Sequence, residues 1–292
     1  MKKIMTGLLC TMLYCSSIGQ DLLSLVDKNE PQKKEHVIHA FKSSRVLNGH
    51  SIEFIGKGEL DVRILHRFGE INSGPNNLFG LDQANMRLGF DYGLLNSLTI
   101  GVGRSNSGKE LDGFIKFRPV WQSTGPGSFP VSIVLVSGIT AQTQPWSDTA
   151  NKNYLSNRLA FYNEIIIGRK FSEHFSLQVS PVFVHRNLVA LASDENDVYA
   201  IGIGARMKLS KRIALVADYH YIAKGLNKQV YKDPFSVGFD IETGGHVFQL
   251  LFTNATGMNE KAFITNTTSN WGKGSIRFGF NLSRIFTVGK KH

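Results

Sequence analysis

The chain has 292 residues, of which 19% are charged and 29 are glycine, and its formal net charge is +10. The charged fraction lies below the roughly 25% that is usual in soluble domains, and glycine exceeds its average share of about 7%. Lys and Arg are scattered singly through apolar stretches. This argues against nucleic-acid binding, because such surfaces gather basic residues into one patch. Length alone allows one large β domain or two smaller ones.

The N-terminus has the pattern of a secretory signal over residues 1–19. Lys2 and Lys3 precede an apolar run over 4–14, and small residues at 17–19 place the predicted cleavage near Gly19. An uncleaved membrane anchor is the first alternative, but the run is far shorter than the roughly 20 residues of a spanning helix. We therefore expect export through the inner membrane.

Both cysteines of the chain, Cys10 and Cys15, lie inside this predicted signal. A lipoprotein is the second alternative, but Leu9 and Tyr14 precede the two cysteines where a small residue is usual. The mature chain is thus predicted to have no disulfide, no thiolate metal site and no cysteine nucleophile.

A polar segment over 20–58 follows and is predicted to be a periplasmic linker or N-terminal segment. Its first part, 20–35, is charged and contains Pro31. The part from 36 to 55 alternates only briefly between apolar and polar residues. Two interpretations stay open for it: an extra strand, or a plug tucked against the barrel.

From residue 60 onward the hydropathy alternates with a period of two, which predicts β-strands. The hairpin over 82–106 is the clearest example. Met86, Leu88 and Phe90 share one apolar face, whereas Arg87 and Asp91 lie on the other. A membrane barrel turns such an apolar face towards lipid and keeps polar residues in its lumen.

The pattern predicts twelve strands, most of the 9–11 residues that a tilted membrane strand requires. They are 60–68, two strands within 82–106, 111–121, 131–141, 158–168, 175–185, 198–208, 213–222, 235–242, 246–254 and 275–285. Connections alternate between short turns and mostly longer loops, as in outer-membrane proteins. The predicted fold is all-β: a transmembrane antiparallel up-and-down barrel over 59–288.

Several phrases of the sequence carry a family resemblance. They are ILHRFG (64–69), NLFGLDQANMRLGFDYG (77–93), LTIGVGRS (98–105), GGHVFQLLFTNATGM (244–258) and IRFGFNLSRIF (276–286). The chain resembles an uncharacterised family of Gram-negative outer-membrane β-barrel proteins, catalogued as a domain of unknown function. The resemblance implies a membrane barrel and brings no catalytic residues with it.

The sequence predicts no catalytic, cofactor or metal site. The histidines are spread singly, without a His-x-His pair or an HExxH motif. An outer-membrane lipid hydrolase would place a histidine and a serine two residues apart near the extracellular end of a strand. The pair His174 and Ser176 lies instead at a predicted periplasmic turn.

Charged residues in phase with the lumen are the predicted functional set. They are Asp61, Arg63, Arg67, Arg87, Asp91, Lys116, Arg118, Arg158, Glu164, Asp218, Asp240 and Arg277. One interpretation is a cation-rich pore wall that selects anions. The other is an ion-pair network that fills a narrow barrel, since unpaired buried charges are costly. Four of them, Asp61, Arg63, Arg87 and Asp91, are predicted to form one cluster across the first two strands.

The favoured function is therefore a non-enzymatic outer-membrane barrel, either a small-solute channel or transporter or a structural barrel with a charged lumen. The expected partners are outer-membrane lipid, the barrel-assembly machinery and a small anionic solute. A lipid hydrolase is the second hypothesis. A soluble periplasmic ligand-binding barrel is the third, although such a barrel would place charged residues outside and apolar residues inside.

Overall fold

The computed structural model of the protein describes residues 33–146, 154–189 and 194–288. The predicted signal over 1–19 and the first part of the 20–58 segment lie outside these ranges. Twelve long strands are present: β1 Glu59–Glu70, β2 Ala84–Leu95, β3 Leu98–Ser105, β4 Glu110–Val120, β5 Ser132–Gln142, β6 Leu159–Lys170, β7 Phe175–Arg186, β8 Asp197–Lys208, β9 Ile213–Lys224, β10 Phe235–Thr243, β11 His246–Thr253 and β12 Arg277–Thr287.

The twelve strands form one closed antiparallel barrel, in which each strand pairs with its neighbours in the sequence. The barrel closes where β12 pairs with β1, for example at Phe280 opposite His66. Closure leaves no strand edge unpaired, which is what a sheet needs in a medium that offers no hydrogen bonds. The predicted fold class is confirmed.

Side chains alternate between the two surfaces of the wall because successive residues of a strand point to opposite faces. Outward residues such as Val102 and Ile115 are 59% and 56% exposed. Their inward neighbours, such as Arg87 and Lys116, are fully buried. The wall is thus apolar outside and polar inside, the reverse of a soluble barrel.

The two ends of the barrel differ. Tight connections join β2 to β3, β6 to β7, β8 to β9 and β10 to β11, and we call this side the short-turn end. The opposite side carries long links such as 71–83 and 254–276, and we call it the long-loop end. Both ends of the barrel sequence, at Glu59 and Thr287, lie at the short-turn end, since the strand number is even and neighbouring strands are antiparallel.

Helices are few and short. The described α-helix, α1, spans Glu260–Thr265, and Asn259 caps it by accepting a hydrogen bond from the Ala262 N–H. In the described ranges no helix has the length and apolar character needed to cross a membrane.

Candidate functional site in the barrel interior

The predicted lumen residues fall into two groups in the structure. Ten are buried on the inner face: Asp61, Arg63, Arg67, Arg87, Asp91, Lys116, Arg118, Glu164, Asp218 and Asp240. Arg158 and Arg277 are only half-buried and lie at the long-loop end. Arg158 donates to the backbone carbonyls of Gln142 and Gln144, and Arg277 donates to the Glu70 carboxylate at 2.9 Å. These two arginines therefore belong to the rim rather than to the interior.

Residues 37–57, which we call the N-terminal insert, run into the barrel from the short-turn end and leave by the same end. At the entry, the Val37 N–H donates to the Gln122 carbonyl. At the exit, the Lys57 N–H donates to the Asn96 side chain. The tip is a turn in which the Val46 N–H donates to the Gly49 carbonyl. Most of the residues between 40 and 55 are buried, so the insert occupies the interior.

Backbone groups of the insert are bound by polar side chains of the wall. Asp218 Oδ2 accepts from the N–H groups of Leu47, Asn48 and Gly49 at 3.2, 2.7 and 3.3 Å. Lys116 donates to the carbonyls of Ser44 and Glu53, and Arg118 donates to that of Ile52. Gln178, Gln249 and Asn281 bind the insert in the same way. The insert has no sheet partners, so these side chains satisfy groups that would otherwise be costly to bury.

A second segment, residues 255–267, enters from the long-loop end, and we call it the loop insert. It contains α1, whose Phe263 is fully buried and packs edge-on against the ring of His220. Asn259 and Lys261 both bind the carboxylate of Glu110, which anchors the segment to β4. The interior is therefore occupied from both ends.

The two inserts meet at an ion pair between Arg45 and Glu260. The Nη1–Oε1 distance is 2.6 Å, and both side chains are 1% exposed. Burial is the largest influence on the pKa of Arg45 and acts to lower it, but Glu260, Tyr162 and Asp91 together raise it by more, so the net shift is upward. Burial also lowers the pKa of His50 well below its usual range, and the cations Arg45 and Lys116 add to this effect. The His50 ring, 3.5 Å from Glu260, is therefore neutral.

The predicted cluster of Asp61, Arg63, Arg87 and Asp91 is divided in the structure. Arg63 and Asp61 lie 3.3 Å apart. Arg87 does not pair with β1: its Nε and Nη2 bind the carboxylate of Asp112 on β4. The Arg87 side chain can extend across the inner face of β3 because Gly103 of that strand has no side chain. A β-carbon at Gly103 would lie 2.3 Å from Arg87 Nη2.

Buried charges on the barrel strands are balanced in sign. The cations are Arg63, Arg67, Arg87, Lys116, Arg118, Arg186 and Arg206. The acids are Asp61, Asp91, Glu110, Asp112, Glu164, Asp218 and Asp240. Pairing is nonetheless incomplete: within the described part of the chain, Arg63 Nε and Nη2, Arg45 Nε and Nη2, and Glu260 Oε2 are buried without a hydrogen-bond partner.

Three charged residues of the interior, Arg45, Glu260 and Asp112, are absent from the predicted lumen set. Arg45 and Glu260 lie in segments without periodicity, and their partners are distant in sequence, so no local signal identifies them. Asp112 alternates in phase with Lys116 along β4, and this phase was a usable signal.

The structure does not bring together His174 and Ser176 as a nucleophile and its base. His174 is exposed in the turn before β7, whereas Ser176 is buried on the inner face. Across the described ranges, no group of three or more His, Cys, Asp and Glu residues could hold a metal ion.

Comparison with known proteins gives a family match over nearly the whole barrel. The family model described as "Membrane bound beta barrel domain (DUF5777)" matches residues 41–286, which confirms the family resemblance found in the sequence. A search of curated proteins finds no match.

Several solved structures match this chain at low sequence identity. The NanC porin has 7% identity and a TM-score of 0.47, covering 78% of this chain and 98% of that chain. The KdgM porin has 8% identity and a TM-score of 0.46, covering 80% and 99%. The outer membrane protein Omp33 of Acinetobacter baumannii has 9% identity and a TM-score of 0.42, covering 79% and 99%.

Proposed function

We propose, from the premise that the chain belongs to the membrane-bound β-barrel family DUF5777, that it is a gated channel for small polar solutes. In this proposal the described conformation is the closed state. The N-terminal insert and the loop insert together obstruct the lumen. Conduction requires that one of them moves.

The observation that carries this proposal is the meeting of the two inserts at the Arg45–Glu260 pair, inside a wall lined by polar and charged groups. A barrel that serves only as a wall can be filled by its own side chains. Here two segments of backbone are held by side-chain hydrogen bonds that water can replace. Exchanging protein partners for water costs little net free energy per bond. The closed arrangement is thus suited to reversible opening.

The proposed location is the outer membrane, reached with the help of the predicted signal and the barrel-assembly machinery. The even number of strands, the strand lengths near ten residues, and the contrast between short turns and long loops support this location. In that orientation the short-turn end faces the periplasm, and the N-terminal insert approaches from there.

The charge of the preferred solute is inferred from the wall residues that the insert covers. Lys116 and Arg118 bind neutral backbone carbonyls of the insert, so its departure leaves two cations facing water near the short-turn end. Rings of like charge select ions in channels. We therefore infer that small anions are preferred in the open state. In a salt gradient, Lys116→Met should move the reversal potential towards cation preference, and the outward-facing Val102→Met should leave it unchanged.

A disulfide between the insert and the wall tests the gating directly. A β-carbon at Gly168 would lie 2.7 Å from Ile52 Cγ2. The β-carbons of the two residues are then at most about 4.2 Å apart, which is below the upper limit of roughly 4.5 Å for a disulfide. The variant Ile52→Cys/Gly168→Cys would be made with Cys10 and Cys15 replaced by serine, and recorded in planar bilayers before and after reduction.

Reduction should raise the open probability at least about tenfold, and reoxidation should reverse it. Equal currents in both redox states would mean that solutes bypass the insert. The channel function would be refuted if the current stayed at baseline at every voltage in three proteins: the reduced Ile52→Cys/Gly168→Cys variant, the wild type and Arg45→Met. The remaining candidate would then be a closed structural barrel, which the balanced buried charges favour.

A further inference from the structure

A pocket lies at the long-loop end, between the loop insert and the inner face of the wall. Its volume is about 340 Å³, which falls within the roughly 300–1,000 Å³ that is usual for small-molecule sites. Met258 and Ala262 of the loop insert line one side, and Ala160 and Arg186 of the wall line another. The pocket is therefore at the opposite end of the barrel from Arg118, which lies near the short-turn end of β4.

The first cation of the pocket is Arg186, the last residue of β7, which is only 4% exposed. Its Nη2 donates to the Glu195 carbonyl at 2.8 Å, whereas its Nε is buried without a hydrogen-bond partner among the described residues. Within the same residues, no carboxylate oxygen lies within 4.0 Å of its guanidinium. Buried charges in proteins are normally paired, so this guanidinium has an unused capacity to bind an anion.

A second guanidinium, that of Arg158, lines the same pocket. Arg158 precedes Ala160 by two residues, and Ala160 is the direct register partner of Arg186. Diagonal neighbours of this kind are within reach of each other's long side chains, and the small Ala160 side chain leaves room between the two arginines. Arg158 itself donates to two backbone carbonyls and lies over the Trp146 ring, 4.3 Å from its centroid. These partners are neutral, so they hold the guanidinium in place without cancelling its charge.

Glu110 is the acidic residue of the described lining, and both of its carboxylate oxygens are occupied. Oε1 accepts from Asn259 at 2.7 Å, and Oε2 accepts from Lys261 at 2.6 Å. Three cations against one acid leave the described lining with a net charge of +2, carried by Arg158 and Arg186. A concave site lined by one sign of charge concentrates ions of the opposite sign.

Apolar side chains complete the pocket, among them Leu188 and Met258. The planar fork of a guanidinium matches a carboxylate in shape and can bind it through two parallel hydrogen bonds. We propose that the pocket binds a small organic carboxylate, whose acid group lies between Arg158 and Arg186 and whose carbon skeleton packs against Leu188 and Met258. This site needs only the wall and the loop insert as described, so it is independent of whether the barrel conducts.

The test measures binding of two probes to the full-length protein in lipid nanodiscs by ligand-observed NMR titration. The probes are cyclohexanecarboxylate and its neutral analogue cyclohexanecarboxamide. The wild type should bind the carboxylate at least about tenfold more tightly than the amide, because charge-assisted hydrogen bonds are the stronger ones. Arg186→Met should weaken binding of the carboxylate by about 10- to 100-fold, the loss expected for hydrogen bonds to a charged group.

Arg158→Met is the second variant, and it should weaken binding by a similar factor. Because Arg158 is only half-buried, this variant keeps the test decisive if Arg186→Met does not fold. Arg104→Met is the matched control: Arg104 lies on β3 near the same end of the barrel but on the outward face. It should leave the affinity for the carboxylate unchanged.

Tight binding of the carboxylate that both arginine variants weaken and the Arg104→Met control retains supports the proposal. Absence of saturable binding overturns it, and so does equal affinity for the carboxylate and the amide. Binding that is insensitive to Arg158→Met also overturns it, because the carboxylate then lies elsewhere. If inorganic phosphate binds as tightly as cyclohexanecarboxylate, the apolar lining contributes nothing and the assignment to an organic carboxylate is wrong.

Discussion

Breaking the Arg45–Glu260 pair should open the barrel, whereas removing both charges should leave it closed at least as tightly as in the wild type. Removing one partner of a buried ion pair costs about 3–5 kcal/mol, because the other charge stays buried without compensation. Either Arg45→Met or Glu260→Met should therefore shift the equilibrium between closed and open states by about two to three and a half powers of ten.

The double variant has the opposite expectation because of the geometry of the pair. It uses a single Nη1–Oε1 contact, and Arg45 Nε and Nη2 and Glu260 Oε2 have no partners in the described structure. Such a pair recovers only part of the cost of desolvating two charges. Replacing both members of a buried pair by apolar residues of similar size is often neutral or stabilising by about 1–4 kcal/mol. Arg45→Met/Glu260→Met should thus be closed at least as tightly as the wild type.

Two measurements check this cycle. Single-channel recording gives the open probability of each variant, and hydrogen exchange of the amides over residues 44–52 reports release of the insert whether or not current flows. Fast exchange in both single variants, with protection restored in the double variant, is the expected pattern. If the single variants stay as protected as the wild type, the ion pair does not hold the inserts together. If the double variant opens as far as the single ones, packing rather than charge is responsible.

Three further predictions concern the contacts that hold the N-terminal insert inside the barrel. Asp218→Asn replaces a carboxylate that accepts three backbone N–H groups by a neutral amide. Hydrogen bonds to charged groups are stronger by about 1–3 kcal/mol in sum, so amide exchange at 47–49 should accelerate by about 5- to 150-fold, and unchanged exchange would contradict this role. Gly93→Ala would place a β-carbon 2.1 Å from the Gly56 carbonyl oxygen, so it should destabilise the barrel by about 1–3 kcal/mol and lower the temperature at which its gel migration changes. The outward Gly113→Ala, whose nearest contact is 3.6 Å away, should leave that temperature unchanged. Docking of the insert lowers the pKa of His50, so the docked state is fully stable above the ordinary histidine pKa of about 6.5 and loses stability as the pH falls below that value. The open probability should therefore rise on acidification, and His50→Gln should weaken this rise.

The parts of this fold that the sequence predicts are those governed by local geometry. A period of two assigns Met86 and Arg87 to opposite faces whatever the rest of the chain does. Successive connections lie at opposite ends of the barrel because neighbouring strands are antiparallel. The length of the strands is set by the thickness of the membrane. For this reason the strand order, the two ends and the inner position of ten of the charged residues could be predicted without tertiary information.

Pairing inside the lumen depends on distances that sequence does not encode locally. Arg87 binds Asp112 across β3 rather than a residue of β1. The glycines of β3 leave room for this contact, and the tilt of the strands determines which carboxylate the guanidinium can reach. The insert has no sheet partner and no period of two. Its contacts with Asp218 and Glu260 span more than 160 residues, so the sequence alone is compatible with both an extra strand and a plug.

The chemistry of the interior favours a reversible closure over a permanent one. If evolution had required only a sealed cylinder, apolar side chains could fill it without the cost of burying charge. Here the wall carries seven buried cations and seven buried acids, and several of their atoms have no partner in the described structure. In the proposed open state, water would replace the insert as the hydrogen-bond partner of Lys116 and Asp218. The net free-energy cost of opening would then be far smaller than the number of broken hydrogen bonds suggests, and the Arg45–Glu260 contact would decide between the two proposed states.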